Sequence, residues 1–199
     1  MSRQDALHRQ ATGLLIAAGL GLIWPGTLHA DPDAVAAIRD RWGDTAQRIA
    51  DNNAVVHRMA FNAEGRPWPA VGTFQGQISA WFGYLEEARS LTEQPLKIVD
   101  EKTIAAREYR TEYLYGDDGQ LIFALVQDPE QVDLRIYWDD GRPIRMQVGA
   151  AVNDTLSSDR LALAADVYAR GAVLAAQARQ LRTLEERWTD FSQHSWSVR

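Results

Sequence analysis

Between Arg107 and Val148, apolar and polar residues alternate through four short segments, each divided from the next by a turn sequence. A side-chain period of two defines a strand, so the stretch predicts an antiparallel meander. The segments are Arg107 to Gly116, Gln120 to Gln127, Val132 to Trp138 and Arg142 to Val148. The breaks are Asp117-Asp118-Gly119, Asp128-Pro129-Glu130-Gln131 and Asp139-Asp140-Gly141. Asp ahead of Gly suits a hairpin, because the carboxylate accepts a local backbone hydrogen bond and Gly takes the left-handed conformation without a steric penalty. The first and third turns also form an internal repeat, Tyr115 to Ile122 aligning with Tyr137 to Ile144.

A one-residue slip exchanges the faces of a strand, so the register is a strong statement. Three-residue loops would pair Tyr115 with Leu121 and Ile136 with Ile144. A four-residue middle loop would pair Phe123 with Ile136. One face then carries Tyr113, Tyr115, Leu121, Phe123, Leu125, Ile136, Trp138, Ile144 and Met146. The other carries Arg110, Glu112, Arg135, Tyr137 and Arg145 around Ile122, Ala124 and Val126. The expected picture is one buried aromatic face and one solvated charged face.

The flanking sequence supplies further elements. Asp33 can cap a helix in which Val35, Ile38, Trp42, Ala46 and Ile49 recur at helical spacing until Asp51-Asn52-Asn53. Ala54 to Phe61, Phe74 to Leu85 and Leu96 to Asp100 are strand candidates. From Ser158 the composition turns to Ala, Leu, Arg and Gln. Val167, Leu174, Leu181 and Trp188 then repeat every seven residues beside Gly171 and Ala178. That pattern predicts a long amphipathic helix with a seam of small residues, able to lie close against the sheet. The fold class expected is α+β: an antiparallel meander sheet of about six strands packed with an N-terminal helix and a long C-terminal helix.

Met1 to Ala30 carries Arg3 and Arg9, an uncharged apolar run from Ala11 to Trp24, and Pro25-Gly26 ahead of Leu28-His29-Ala30. Those are the parts of a secretory signal peptide, with cleavage expected after Ala30. The apolar run is shorter than the ~20 residues that span a bilayer, so no membrane span is expected after cleavage. The organisation is therefore a signal peptide over 1–30, a helix-plus-sheet domain over 31–157, and a C-terminal helix over 158–199 packed on the same domain. A chain with no Cys has no disulfide, thiolate metal site or lipidation site. Export without cysteine points to a bacterial periplasm. A net charge of -6 argues against a nucleic-acid partner, which requires a basic face.

The motif Glu112-Tyr113-Leu114-Tyr115, the turn with Asp118-Gly119, and Leu121-Ile122-Phe123 together resemble uncharacterised bacterial secreted proteins and lipoproteins. In that group an initial helix with an Ile-Arg pair and a nearby aromatic, here Ile38-Arg39 and Trp42, precedes a Tyr-rich sheet. The resemblance covers roughly Ala34 to Val148 and implies a fold and a compartment rather than an activity. The chain departs from the lipoprotein members in lacking the lipidated Cys, and the terminal helix lies outside the match.

Chemistry-bearing residues are sparse. Of the two histidines beyond residue 30, His57 alternates with Val55, Met59 and Phe61, and His194 lies in a polar tail. No nucleophile-elbow motif accompanies His57. The paired acids Asp117-Asp118 and Asp139-Asp140 sit where hairpins want them, whereas a calcium loop places acids at alternate positions. No cofactor and no metal site is expected. The candidate ligand-binding residues are Arg110, Arg135, Tyr137 and Arg145 on the charged sheet face, and Trp68 between Pro67 and Pro69. Two arginines side by side on adjacent strands are mildly destabilising, so a structural design has little use for them. Three functions follow as alternatives: a non-enzymatic periplasmic binding or adaptor protein for an anionic ligand or envelope protein; a hydrolase using His57 with an acid; and a structural envelope protein assembling through its C-terminal helix.

Overall fold

The computed structural model describes residues 31–69, 72–130 and 132–195, with side chains described through residue 187. The expected signal peptide lies outside the described residues, and so do the side chains of Trp188 and His194. Among the described residues, two helices and ten strands make an α+β fold. Helix α1 spans Pro32–Ala50, strand β1 Ala54–Phe61, and the two-residue β2 Pro67–Trp68. Strand β3 spans Gly72–Leu85, the short β4 Ser90–Leu91, β5 Lys97–Ile104 and β6 Arg107–Tyr115. Then come β7 Leu121–Gln127, β8 Leu134–Asp139, β9 Arg142–Val148, β10 Ala151–Asn153 and helix α2 Ser158–Ser195.

The sheet runs β1-β3-β5-β6-β7-β8-β9-β10 and is antiparallel throughout, with β2 and β4 pairing to the two ends of β3. It is an extended meander rather than the six-strand sheet expected. Seven of its strands answer to segments read from the sequence, and the other three, β2, β4 and β10, are two or three residues long. The β5–β6 connection also carries none of the usual turn residues. Ala105-Ala106 makes a two-residue hairpin between Ile104 and Arg107 with φ of 49° and 66°, a left-handed turn that normally selects Asn-Gly.

Two β-bulges determine which side chains share a face. Leu114 pairs with Phe123 but Tyr115 pairs with Leu121, so Ile122 is the extra residue. Tyr137 pairs with Arg145 but Trp138 pairs with Pro143, so Ile144 is extra. Both bulges fall at the same position of the internal repeat. The third turn is also one residue shorter than expected, Asp139 pairing with Arg142 around Asp140-Gly141, and the β7–β8 pairing is offset by one residue, closing with Val126 opposite Leu134. The expected pairing of Tyr115 with Leu121 is present. Ile136, however, faces Met146 instead of Ile144, and Phe123 faces Tyr137 instead of Ile136. Phe123, Leu125 and Ile144 therefore lie on the opposite face from the one an unbroken alternation gives.

Both faces are consequently apolar over part of their area, and each holds a helix. On one face Tyr113, Tyr115, Leu121, Ala124, Ile136, Trp138 and Met146 pack with Ala164, Leu174, Ala175 and Ala178 of α2. Small residues let that helix come close: Tyr115 Oη donates to the Gly171 carbonyl at 2.9 Å. Arg170 also donates twice to the buried Asp100 carboxylate, at 3.0 and 2.5 Å. On the other face Leu114, Phe123, Tyr137 and Ile144 pack with Val35 and Ile38 of α1. That helix is capped by Asp31, which accepts from the Asp33 amide at 3.0 Å, so Asp33 sits in the first turn rather than at the cap. Pro32 starts it, where a missing N–H removes nothing, and Asp51 ends it ahead of the left-handed Asn52.

Candidate functional site

Cross-strand rows on the α1 side set out the site. One row reads Lys97, Leu114, Phe123, Tyr137, Arg145. The next reads Val99, Glu112, Leu125, Arg135, Gln147. Helix α1 lies over the first row because Val35, Ile38 and Trp42 recur at i, i+3 and i+7, which builds one stripe. Val35 and Ile38 are buried, while Arg39 flanks the stripe at its solvent edge. Trp42 meets Phe123 edge-on, ring centroids 5.0 Å apart at 74°, and Phe123 meets Tyr137 at 5.0 Å and 59°. The Arg39 guanidinium stands 5.8 Å over the Tyr137 ring.

These side chains line a half-open cavity of about 250 Å³ between the helix and the sheet. Its floor is Phe123, Leu125 and Tyr137, its roof is Ile38 and Trp42, and Arg39 and Arg135 are the charged groups in its lining. Apolar walls with a few convergent polar groups are the usual form of a small-molecule site. The hollow is small beside the roughly 300–1,000 Å³ of sites for drug-sized ligands.

The surrounding charges are unequally committed. Lys97 forms an ion pair with Glu112 and lies 4.2 Å from the Trp42 ring centroid, a cation–π contact that helps to hold the indole in place. Arg110 is engaged by both Glu101 and Glu112. Arg145 grips Asp154 through two hydrogen bonds of 2.6 and 2.7 Å, and that carboxylate raises the guanidinium pKa above its ordinary value. Arg135, by contrast, reaches only Asp133 among the described residues, at 3.5 Å. Arg39 makes no ion pair among the described residues, its aromatic neighbour aside.

The five residues expected from sequence therefore divide. Arg135 and Tyr137 line the cavity. Arg110 and Arg145 belong to separate ion pairs, and Arg145 stands opposite Tyr137 rather than beside Arg135. Trp68 is exposed, 5.4 Å from Phe74, near the end of β3 remote from α1. Sequence reasoning missed Arg39, Trp42 and Phe123 as site residues. The available signal was an arginine beside an apolar helical stripe, which marks where a helix leaves its buried seam.

The other candidates are less suited to chemistry. His57 is buried on the α2 side, edge-on to Phe82 at 5.3 Å, with its Nδ1 against the Glu185 carboxylate. The acid envisaged for a hydrolase is present, and the pair bridges β1 and α2 with the imidazole buried and the Glu185 side chain half exposed. In the turns, Asp118 accepts from the Gln120 amide at 2.9 Å and Gly119 adopts φ 79°, so the first acidic pair serves its hairpin. No cluster of metal-binding side chains occurs among the described residues. No described helix is long and apolar enough to cross a membrane. A wider hollow of about 760 Å³ borders α1 at Asp40, Arg41, Asp44, Gln47, Arg48 and Asp51, but its walls are chiefly charged and open. On α2, Leu163, Val173 and Leu184 are exposed, yet Asp166, Arg170, Gln177 and Gln180 interrupt them.

Fold and site together define an α+β protein with an open antiparallel sheet, a helix on each face and a cationic, aromatic-lined cavity under the first helix. Comparison with protein family models, curated proteins and solved structures finds no match.

Proposed function

We propose that the protein is a non-enzymatic periplasmic binding protein that holds a small anionic ligand between α1 and the sheet. The observation that carries this reading is the cavity itself: apolar walls bordered by two guanidinium groups, one with no ion-pair partner among the described residues and one with only a long contact to Asp133. Guanidinium groups bind carboxylates and phosphates through parallel N–H donors, and they lose less hydration than an ammonium on doing so. Low-dielectric walls strengthen that attraction.

The compartment is part of the proposal. The signal-like Met1 to Ala30 and the cysteine-free chain support it. Against catalysis, the cavity lining contains neither a histidine nor a carboxylate to move a proton.

Native mass spectrometry of protein isolated from periplasmic extract tests the reading. A bound anionic species is expected on the wild type and should be absent from an Arg39→Gln, Arg135→Gln double variant with an unchanged circular dichroism spectrum. An unliganded wild type, or equal retention by the double variant, overturns it.

A further inference from the structure

Resting on the reading above, we propose that the ligand is a planar aryl monocarboxylate of one or two rings. Its ring would lie against Trp42, Phe123 and Tyr137 and its carboxylate between Arg39 and Arg135. Four observations converge on that class.

The walls come first. Trp42 and Phe123 meet at 74° and Phe123 and Tyr137 at 59°, both with centroids 5.0 Å apart. Rings at such angles present edges and faces together, and a further flat ring extends the pattern with favourable quadrupole alignment. A flat body also loses little conformational freedom on binding, unlike an alkyl chain of equal area.

The second observation is the polar inventory. Side-chain hydrogen bonding in the lining comes from guanidinium donors, the Trp42 indole N–H and the Tyr137 hydroxyl, with no amide or carboxylate. A sugar or other polyol would find one side-chain acceptor, the Tyr137 oxygen, for its several hydroxyls, at a desolvation cost that the cavity does not offset. A carboxylate is acceptor-only and matches guanidinium donors in geometry.

Charge is the third. Arg39 and Arg135 contribute two positive charges, and Asp133, 3.5 Å from Arg135, removes one. A net single positive charge suits a monoanion better than a phosphate dianion. Size is the fourth, since about 250 Å³ matches a compact body better than a nucleotide or a lipid. The Arg39 guanidinium is already stacked near Tyr137, so part of the ordering needed to grip the carboxylate precedes binding.

Isothermal calorimetry on the purified protein tests this with benzoate, indole-3-acetate, the two corresponding neutral amides, octanoate and inorganic phosphate. Both aryl carboxylates should give saturable heats, with the amides, octanoate and phosphate each at least tenfold weaker. The Arg39→Gln, Arg135→Gln double variant should lose at least tenfold for the aryl acids. Trp42→Phe should abolish the ligand-dependent change in tryptophan fluorescence. Octanoate or phosphate binding more tightly, with the same arginine dependence, overturns the aryl monocarboxylate class and leaves the anion-binding reading standing. Amides binding as tightly as the acids, heats indifferent to the double substitution, or no saturable heat from any probe overturn both.

Discussion

Replacing Gly171 by Ala tests how α2 is seated, and Gly43 supplies an internal control. Both glycines lie inside helices, where Ala is favoured by about 1 kcal/mol in an otherwise open site. At Gly43, in α1, a Cβ would meet nothing within 4 Å, so Gly43→Ala should stabilise by about 0.5–1 kcal/mol. At Gly171 a Cβ would stand 2.9 Å from Leu121 Cδ2 and 3.1 Å from Tyr113 Cδ1. Those side chains are only 2% and 1% exposed, so neither has space into which to move. Relieving the clash means lifting the helix, which costs about 1–3 kcal/mol as overpacking. Lifting also stretches the 2.9 Å hydrogen bond from Tyr115 to the Gly171 carbonyl, worth about 1 kcal/mol. The propensity gain offsets part of this, and a net loss of about 1–3 kcal/mol is expected. Urea melts followed by far-ultraviolet circular dichroism, with slopes held common, measure both variants. If Gly171→Ala stabilises as Gly43→Ala does, α2 does not rest on Leu121 and Tyr113.

Three further outcomes follow from the same packing. Burial pushes the Tyr113 phenol from 10.0 up to about 12, and that of Tyr115 higher still. A raised folded pKa gives stability that is complete below the unfolded value and lost as pH rises from about 10 through 12, with Tyr113 alone contributing about 3 kcal/mol; absorbance at the tyrosinate band should therefore show late phenols ionising together with unfolding. Changing Ala105-Ala106 to Asn-Gly should stabilise by about 1–2 kcal/mol, because the present turn holds two alanines in the left-handed region; thermal melts that move downward would contradict the turn. Arg170→Ala should cost about 3 kcal/mol by leaving the buried Asp100 with only Lys102, at 3.9 Å. Arg170→Met with Asp100→Leu should recover much of that loss, and a double variant as unstable as Arg170→Ala would show that the buried charge is not the cause.

The strands of the meander, the acidic hairpins and the long last helix were legible because each rests on local periodicity or local turn chemistry. Ile136, fully buried, and Arg135, on the other side with a third of its side chain exposed, follow the alternation as read. The assignment of faces further along the strands was not legible. A bulge inserts one residue without any residue type that announces it, and Ile122 and Ile144 look like ordinary strand isoleucines. The two-alanine turn after Ile104 was likewise silent, since the structure around it enforces a conformation that its residues do not favour. The cavity inherited these gaps. With Phe123 and Leu125 placed on the wrong face, the charged side of the sheet looked solvated, and nothing called for α1 to cover it. Arg135 and Tyr137 were found because they precede the bulge at Ile144. Arg39 was not legible as a ligand group, because its role depends on which strand the helix meets.

The faces of Phe123 and Tyr137 decide both the fold and the site, and one measurement reads them directly: nuclear Overhauser contacts from an aromatic-labelled sample. Cross-peaks are predicted between the Phe123 ring and both the Trp42 indole and the Tyr137 ring, with Tyr113 and Leu121 contacting Gly171 on the other side. Addition of benzoate should shift the Trp42, Phe123 and Tyr137 signals and leave those of Tyr113 and Tyr115 in place. Contacts from Phe123 to Leu174 or Ala175 of α2, with none to Trp42, would contradict the bulged register and remove the cavity with it.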